Sequence, residues 1–444
     1  MKETKPGPLA KYTILDFTWV LAGPHATKMF TDLGANVIKV EQYKAGANER
    51  WLPMRVVHDG VTQSSYSINV NRGKKSVCVN LKSKEGMELI KELIQKSDVL
   101  IENFSPEVMG RLNLDYESVK KIKKDIVYCS ISCFGHWGPY SHKPGYDIIA
   151  QSASGWIAQS NPKIQAPVSI GDMNAAMHAC TAILSALLFR EQTGTGQNID
   201  ISMMDCLFGL HENTLPWYMI SEAIGSPKEP MQIGAKHPGY APYGIYQGKN
   251  GSIAIALLTE ARWPALVKAM GEEFCWLKDD PRFKTVSLRC TTDNAPPLHE
   301  ALEKWVMSLP SVEEAEKTLE EAGIPCMRVR TLVELATKDP QIKSREMISR
   351  VHQPFIGPMM MYGCPLKLSE TPGCIRGYAP LLGEHNREVL KKMLGRSDEF
   401  IDKLYQKGIL YHEEAVDRLP AELANMEQAQ STIVPPETPA GAFA

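Results

Sequence analysis

The residue of this 444-residue sequence best suited to nucleophilic chemistry is an aspartate just before a long apolar run. Asp172 lies in the segment SIGDMNAAMHA, where a glycine and this acid precede a predicted buried helix over residues 175–190. Free N–H groups and the helix dipole at such an amino end favour the anionic, nucleophilic form of a carboxylate. Aspartate is also a favoured helix cap, so taken alone the position is more often explained by capping than by catalysis.

A second candidate site lies where the first predicted strand turns into a helix, in the segment 16–41. Ala22, Gly23 and Pro24 form this turn, directly after Leu21. Small residues let a ligand approach backbone N–H groups, and the helix amino end attracts negative charge. A plain tight turn has the same composition, so the segment alone does not decide between the two.

Residues suited to binding a coenzyme follow another predicted strand. Asn103 and Phe104 come directly after a strand in VLIENFSPEVMGRLNL, and Arg111 lies in the helix beyond them. Ligands of open α/β sheets bind at this edge, where a ring can stack on a base and a guanidinium can pair with a phosphate. The alternative for Arg111 is a surface salt bridge. A basic cluster in NRGKKSVCVNLK, which by itself is typical of a solvated face, adds Arg72, Lys74 and Lys75.

Composition and charge argue against several classes of protein. The chain has 43% hydrophobic residues, enough for a packed core, and a net charge of -2, which argues against nucleic acid as a partner. We find neither a signal-peptide pattern nor a run of roughly 18 apolar residues, so we expect a cytoplasmic protein without a membrane partner. The cysteines contain no C-x-x-C pair and the histidines no H-E-x-x-H motif, so no metal is predicted.

Strand-like and helix-like segments alternate through the first third of the chain. The predicted strands are 12–17, 37–40, 99–101 and 126–132, and the predicted helices between them are 23–33, 82–95 and 116–123. Repeated βαβ units predict an α/β fold with a Rossmann-like open parallel sheet. No G-x-G-x-x-G follows the first strand, so the sheet need not bind NAD.

A stretch rich in glycine and proline, 225–244, is the predicted domain boundary. We assign residues 1–224 to the first part of a large domain, 225–330 to a smaller α+β domain, and 331–444 to a return to the large domain with a C-terminal tail. A strand is predicted at 198–204 and an apolar helix at 205–218. The last thirty or so residues are expected to be poorly packed or to lie across a partner subunit.

Taken together, these segments resemble the class III coenzyme A (CoA) transferase family, also called the CaiB–BaiF family. The resemblance covers residues 8–412 and consists of GPLAKYTILDFT, LAGPHATKMFTDLGANVIKVE, NRGKKSVCVNLKSKEG, SDVLIENFSPEVMGRLNLDYE, ISCFGHWGPYSHKPGYDIIAQSASG, GDMNAAMHA, REQTGTGQNIDISMMD, AGIPCMRVRTLVEL and APLLGEHNREVL. Each motif alone is modest. Nine motifs in register make a chance match very improbable.

The resemblance implies a mechanism and a set of site residues. Asp172 matches the family's catalytic aspartate, which attacks an acyl-CoA and then carries CoA as an aspartyl thioester. Backbone donors near Leu21 and Ala22 are expected to stabilise the oxyanions. No metal or permanently bound cofactor is needed, because CoA and acyl-CoA are substrates. The implied CoA contacts are Asn103, Phe104 and Arg111, with Arg72, Lys74 and Lys75 toward the adenosine or phosphate end.

The resemblance also implies an interlocked homodimer, in which the large domain binds CoA and a small carboxylic acid. Two departures bear on the acid. The formyl-CoA transferase branch has glutamine at the position of Leu21 and a run of glycines where this sequence reads IGAKHPGYAPYG. We therefore do not expect oxalate and formate as the acid pair. Trp19, Leu21 and Trp156 are expected to make a less polar pocket, suited to a branched, aromatic or carnitine-like acid.

Three other functions were weighed against CoA transfer. The α-methylacyl-CoA racemases of the same family use a histidine where this sequence has Tyr146, and a phenol is a weaker general base at neutral pH. A non-catalytic acyl-CoA-binding protein would not need Asp172 in its full motif. A dinucleotide-dependent dehydrogenase lacks its glycine fingerprint.

Overall fold

The computed structural model describes residues 6–431, with side chains to residue 424, and divides them into two compact units. The larger unit takes residues up to 150, 168–207 and from 341 onward, and the smaller takes 151–167 and 208–340. The predicted domain bounds differ from these. The stretch 225–244 lies inside the smaller unit because its backbone bonds locally to that unit's sheet, for example at Lys236 and Gly244.

Six parallel strands form the main sheet of the larger unit, in the order β5-β2-β1-β6-β7-β8. Their bounds are β1 Thr13–Asp16, β2 Asn36–Gln42, β5 Lys75–Val79, β6 Val99–Glu102, β7 Val127–Ser132 and β8 Asn198–Ser202. The strands are rich in β-branched residues and mostly buried, as expected for a parallel sheet covered on both faces. Renumbered along the chain this is the order 3-2-1-4-5-6, so the predicted Rossmann-like sheet is confirmed.

Two short antiparallel hairpins accompany the sheet in the larger unit. They are β3 Arg55–His58 with β4 Val61–Ser64, and β12 Ile348–Gln353 with β13 Gly357–Tyr362. The helices of this unit are α1 Ala22–Asp32, α2 Ser65–Asn71, α3 Lys84–Gln95, α4 Val108–Arg111, α5 Tyr116–Ile122, α6 Asp147–Ala153 at its boundary, α8 Ile170–Thr193, α9 Met203–Phe208, α17 Asn386–Leu394, α18 Asp398–Gln406 and α19 Ala415–Ser431, with a 3-10 helix at Asn48–Arg50.

The smaller unit has one antiparallel sheet, in the order β11-β10-β9. Its strands are β9 Tyr243–Gly248, β10 Gly251–Ala256 and β11 Cys326–Arg328. Its helices are α7 Trp156–Gln159, α10 Thr214–Ala223, α11 Trp263–Met270, α12 Val286–Arg289, α13 Ala295–Ser308, α14 Val312–Glu321, α15 Leu332–Lys338 and α16 Pro340–Ser344 at its boundary, with 3-10 helices at Glu272–Lys278 and Pro281–Phe283. The predicted α+β character of this part agrees with these elements.

Two local predictions were wrong. The helix expected over 205–218 is two helices, α9 and α10, because the segment between them turns through bonds such as His211 N–H to the Phe208 carbonyl. The last thirty residues are not all loosely packed. Helix α19 buries Ala415 and Leu419 against Val61 and Leu381, and the rest of the tail lies outside the described residues.

Helix α8 is the longest helix of the described residues and the one that carries Asp172. It begins earlier and ends later than predicted, and by length and composition it alone among residues 6–431 matches a membrane span. A core helix passes the same test. One face of α8 packs on α1 and on strands β7 and β8, where Ala175, Ala179 and Ile183 are fully buried.

Candidate active site

A cavity of about 120 Å³ lies at the carboxyl edge of the main sheet in the larger unit. Trp19 and Val20 line it after β1, Asn103 and Phe104 after β6, and Asp172 from the start of α8. Strands β1 and β6 are the neighbours at which the strand order reverses, and open α/β sheets bind ligands at that point. The sheet topology therefore brings together three segments that are far apart in the sequence.

Asp172 is the third residue of α8, and its helix end is capped by a second acid. Ser169, at the cap position, makes no side-chain bond to the helix. Instead Asp147 Oδ1 accepts the N–H of Gly171 at 2.7 Å and the N–H of Asp172 at 3.3 Å. Asp147 thereby satisfies donors that a helix leaves open at its start and fixes the backbone of Asp172.

The protonation of Asp172 differs from the sequence-based expectation. The helix end was expected to favour the anion, but burial, with Asp147 adding its charge, raises the pKa of Asp172 from 3.8 to about 7. Asp147 already occupies the N–H groups that would have stabilised the anion. The carboxyl group is therefore poised between its two forms near neutral pH, and its anion is poorly solvated.

The close approach of Asp147 explains why a glycine, Gly171, precedes Asp172. A Cβ at this position would lie 2.9 Å from Asp147 Oδ1 and 3.2 Å from Leu207 Cδ1. A side chain here would displace the capping carboxylate. The glycine is thus required by the close approach of Asp147, a residue that precedes it by 24 positions.

The turn between β1 and α1 borders the cavity. Helix α1 begins at Ala22, which lines the cavity, so the N–H groups of Ala22 and Gly23 belong to its first turn. A Cβ on Gly23 would lie 2.2 Å from Thr18 Cγ2, which shows how tight the turn is. The side chain of Leu21 is buried and is not among the lining residues, so the expected contribution of Leu21 to pocket polarity is corrected.

A buried network of lysine and carboxylate side chains bonds to the backbone of the β1–α1 turn. Lys39 Nζ donates to the Thr18 carbonyl at 2.7 Å and pairs with Glu49 at 2.9 Å. Lys74 Nζ donates to Asp16 at 2.9 Å and to the Pro24 carbonyl at 3.1 Å. Burial lowers the pKa of Lys74 to about 8. Lys74 was expected at the phosphate end of CoA, but its side chain is enclosed and engaged by these partners, so its role is structural.

Val20 is strained where it borders the cavity. Its φ of 63° is unusual for a β-branched residue. The N–H of Val20 donates to Glu49 Oε2 at 2.9 Å, and the N–H of Trp19 donates to Asn103 Oδ1 at 2.8 Å. These bonds to the buried Glu49 and the half-buried Asn103 hold a conformation that would otherwise relax, as is common at functional sites.

Asn103 uses both ends of its amide on one backbone segment. Besides accepting from Trp19, its Nδ2 donates to the Trp19 carbonyl at 2.8 Å. Phe104 meets the Trp19 ring edge-on, with centroids 4.9 Å apart, and lines the cavity. Asn103 therefore positions the β1–α1 turn, while Phe104 remains placed to contact a ligand.

The remaining basic candidates divide into exposed and internal residues. Arg111 is exposed, and Glu107 is 3.9 Å from its guanidinium, so it is accessible to a phosphate. Lys75 is about one-third exposed and pairs with Glu388. Arg72 is fully buried, with Nη2 at 2.8 Å from Asp32 and Nη1 at 2.6 Å from the Tyr362 carbonyl. The expected contact between CoA and Arg72 is corrected, because the guanidinium faces internal partners.

Three residues near Asp172 were not predicted from the sequence. Asp147 was overlooked beside Tyr146, although both lie in a quoted motif. Cys133 lines the cavity, and burial, with Asp172 and Asp147, raises its pKa to about 12, so its thiol does not compete as a nucleophile. The pKa of the Tyr66 hydroxyl is also raised, mainly by burial and next by the negative charge of Asp172. Among residues 6–431 no group of three His, Cys, Asp or Glu side chains suits a metal.

Fold and site together define an α/β protein of the Rossmann-like type with an aspartate in the cavity at the switch point of its sheet. The family model of CoA-transferase family III matches residues 9–386, and the chain belongs to that family. Relatives at 31–34% identity over most of the chain are CoA transferases, and this chain is a CoA transferase of that class.

Individual relatives agree with this assignment. The chain is 32% identical to mouse succinyl-CoA:glutarate CoA-transferase over 92% of its length and 91% of the relative. It is 34% identical to the acetyl-CoA:oxalate CoA-transferase of Acetobacter aceti over 88% of its length and 98% of the relative. A crystal structure of a CAIB/BAIF family protein from Brucella suis matches with a TM-score of 0.75 and 31% identity, covering 88% of this chain and 100% of that one.

Proposed function

We propose that this enzyme moves CoA from an acyl-CoA to a free dicarboxylic acid through an aspartyl-CoA thioester on Asp172. The observation that carries the proposal is Asp172 itself, at the start of α8 in the cavity at the switch point, where Asp147 accepts its backbone N–H. No other carboxylate lines that cavity among the described residues.

The proposed reaction balances without an external acid, base or redox partner. The Asp172 carboxylate attacks the acyl carbon, the C–S bond breaks, and an acyl-aspartyl anhydride and CoA thiolate result. The thiolate attacks the aspartyl carbonyl, which releases the donor acid and leaves the aspartyl-CoA thioester. The acceptor carboxylate attacks this thioester, and the released thiolate then takes the new acyl group and frees Asp172.

The residues of the cavity have separate tasks in this scheme. Each attack creates an oxyanion, for which the N–H groups at the start of α1, beside Ala22, are suitable donors. Asp147 fixes the backbone of Asp172, and the two-sided bond from Asn103 fixes the turn that carries those donors.

The choice of dicarboxylic acids is supported by the relatives. The acceptors named for the two transferases above, glutarate and oxalate, are both dicarboxylic acids. The branched, aromatic and carnitine-like acids suggested by Trp19 and Leu21 remain an alternative. Because Leu21 is buried, its side chain no longer supports this alternative class of acids. The exclusion of oxalate with formate stays a prediction.

We further propose that the enzyme acts in the cytoplasm as an interlocked homodimer, without nucleic acid or membrane partners. The outer face of α8 supports a subunit contact, because Met177, Leu188 and Phe189 are 48%, 61% and 44% exposed. Apolar groups of this size commonly mark a protein interface.

A transfer assay tests the proposal. Succinyl-CoA is incubated with glutarate, oxalate or pentanoate, and new CoA esters are separated by chromatography. We expect a dicarboxylic acid to yield its CoA ester with the wild type and none with Asp172→Ala. Deuterium uptake at the α-carbon of an acyl-CoA without any acceptor acid would instead indicate a racemase.

A further inference from the structure

Lys143 is the single cation among the residues that line the cavity of Asp172 within the described structure. It lies in the loop after β7, and that loop folds back through two tight turns. The N–H of Ser141 donates to the Gly138 carbonyl at 3.3 Å, and the N–H of Lys143 donates to the Tyr140 carbonyl at 2.9 Å. The turn brings the lysine side chain to the cavity that holds the nucleophile.

Aromatic rings hold the ammonium group of Lys143. Its Nζ lies 4.0 Å from the centroid of the Tyr140 ring, and that ring meets Phe134 edge-on at 5.7 Å. A cation over a ring face is attracted to it but keeps its N–H donors. No carboxylate among residues 6–431 lies within ion-pair distance of this Nζ, so those donors are open to a ligand anion.

The chemistry of the cavity indicates which anion this is. Asp172 has no charge while it carries CoA as a thioester. The positive charge of Lys143 is then balanced by no acid among the residues that line the cavity. A volume of about 120 Å³ is far below the roughly 300 Å³ or more of a pocket for a large ligand, so the cavity itself has room for a small acid but not for a whole CoA molecule. A dicarboxylic acid directs one carboxylate to the thioester and has a second one to be neutralised.

We propose that Lys143 is the specificity-determining residue that binds the second carboxylate of the acid, and that Tyr140 positions its ammonium group. This inference rests on the proposed function and names the group that reads the acid. The same contact serves the donor, because the acyl part of succinyl-CoA also ends in a free carboxylate.

The test compares acids of equal length with and without the second charge. Lys143→Met, Lys143→Arg and the control Lys121→Met, an exposed lysine on α5, are assayed with glutarate and pentanoate as acceptors. They are also assayed with succinyl-CoA and butyryl-CoA as donors. We expect Lys143→Met to lower kcat/KM for glutarate and succinyl-CoA on the order of 10- to 100-fold. Pentanoate and butyryl-CoA should change less than about twofold, and Lys143→Arg should restore much of the loss.

Equal losses with charged and uncharged acids would overturn the inference, and equal losses with both donors would assign Lys143 to a CoA phosphate instead.

A binding measurement separates this result from the proposed function. In the Asp172→Asn background, whose side chain is neutral like the thioester, glutarate and succinate are titrated by calorimetry with and without Lys143→Met. Binding that depends on Lys143 supports the inference even if no transfer is found. Unchanged binding contradicts it even if transfer is found.

Discussion

Asp147 Oδ1 accepts the backbone N–H of Asp172 at 3.3 Å, so the two carboxyl groups share one helix end. The contact fixes the backbone of Asp172, the proposed nucleophile, but also places a like charge beside it. Together with burial, this raises the pKa of Asp172 to about 7. The backbone of Asp172 is therefore held in place, while its carboxylate anion is poorly stabilised. A carboxylate is a weak nucleophile, and poor stabilisation makes its anion more reactive.

The first prediction concerns the pH dependence of the first half-reaction. Only the anion of Asp172 attacks, so kcat/KM for the acyl-CoA should rise with pH through about 7 and level off above it. Asp147→Asn keeps an oxygen that accepts both N–H groups but removes the charge. We expect the midpoint to move to lower pH in this variant, measured by rapid-quench formation of the enzyme-bound species.

Asp147→Ala is the matched comparison, because it removes both the charge and the cap. It should lower the rate at every pH, on the order of tenfold or more, as expected for a displaced nucleophile. An unchanged midpoint in Asp147→Asn would contradict the electrostatic role given to Asp147.

The second prediction concerns stability. The folded-state pKa of Asp172 lies above its value of 3.8 in an unfolded chain, so the folded protein prefers the protonated form. Its stability should fall as pH rises from about 4 to about 7, and the full cost should be present above 7. Asp172→Asn has no charge to bury, so its melting temperature should exceed that of the wild type at pH 8, with a smaller difference at pH 5.

The exposed acid Asp293 provides the control for this comparison. Asp293→Asn should follow the wild type at both pH values in differential scanning fluorimetry. A melting temperature of Asp172→Asn at or below that of the wild type at pH 8 would show that the buried carboxylate is not a source of instability.

The third prediction separates positioning from coenzyme binding at Asn103. Asn103→Ala removes both bonds to the Trp19 backbone, so it should lower kcat on the order of tenfold with little change in KM for the acyl-CoA. Asn103→Asp keeps only the bond that accepts the Trp19 N–H, so its kcat should lie between those of the wild type and Asn103→Ala. A raised KM with unchanged kcat would instead show that Asn103 acts as a direct CoA contact.

The fourth prediction contrasts two arginines that the sequence placed in the same role. Arg72→Ala leaves the buried Asp32 with only the longer ion pair to Lys28, at 3.5 Å, and should cost on the order of 3 kcal/mol of stability. Arg111 is 68% exposed, so Arg111→Ala should leave the melting temperature unchanged and raise KM for acyl-CoA about tenfold. Similar effects of the two substitutions, in thermal unfolding and in steady-state kinetics, would refute this division.

Much of the fold was predictable because its signals are local. Apolar strands followed by amphipathic helices identified the parallel sheet, and the bounds of β1, β2, β6 and β7 fall within a few residues of the predicted segments. The break between α9 and α10 was missed because both flanking segments are apolar. The packing of α19 was missed because only tertiary contacts of Ala415 and Leu419 stabilise it.

The site was predictable in part. Asp172 drew attention because a glycine, an acid and an apolar helix are adjacent in sequence, but that pattern alone indicates a helix cap, and its predicted catalytic role came from the family resemblance. Asp147 was missed because a cap supplied from another segment leaves no local signal. Arg72 and Lys74 were misassigned because a basic run looks the same whether its charges face solvent or buried acids, and only the fold shows Asp32 and Asp16 beside them.

Intact-mass analysis of the enzyme tests the central claim most directly. The wild type and Asp172→Ala are incubated with a panel of acyl-CoA donors, including succinyl-CoA, without any acceptor acid. We predict a CoA-sized mass increase on the wild type alone, which hydroxylamine removes and which peptide mapping locates to Asp172. An adduct of equal size on Asp172→Ala, or active transfer with no adduct on the wild type, would contradict the aspartyl-CoA mechanism.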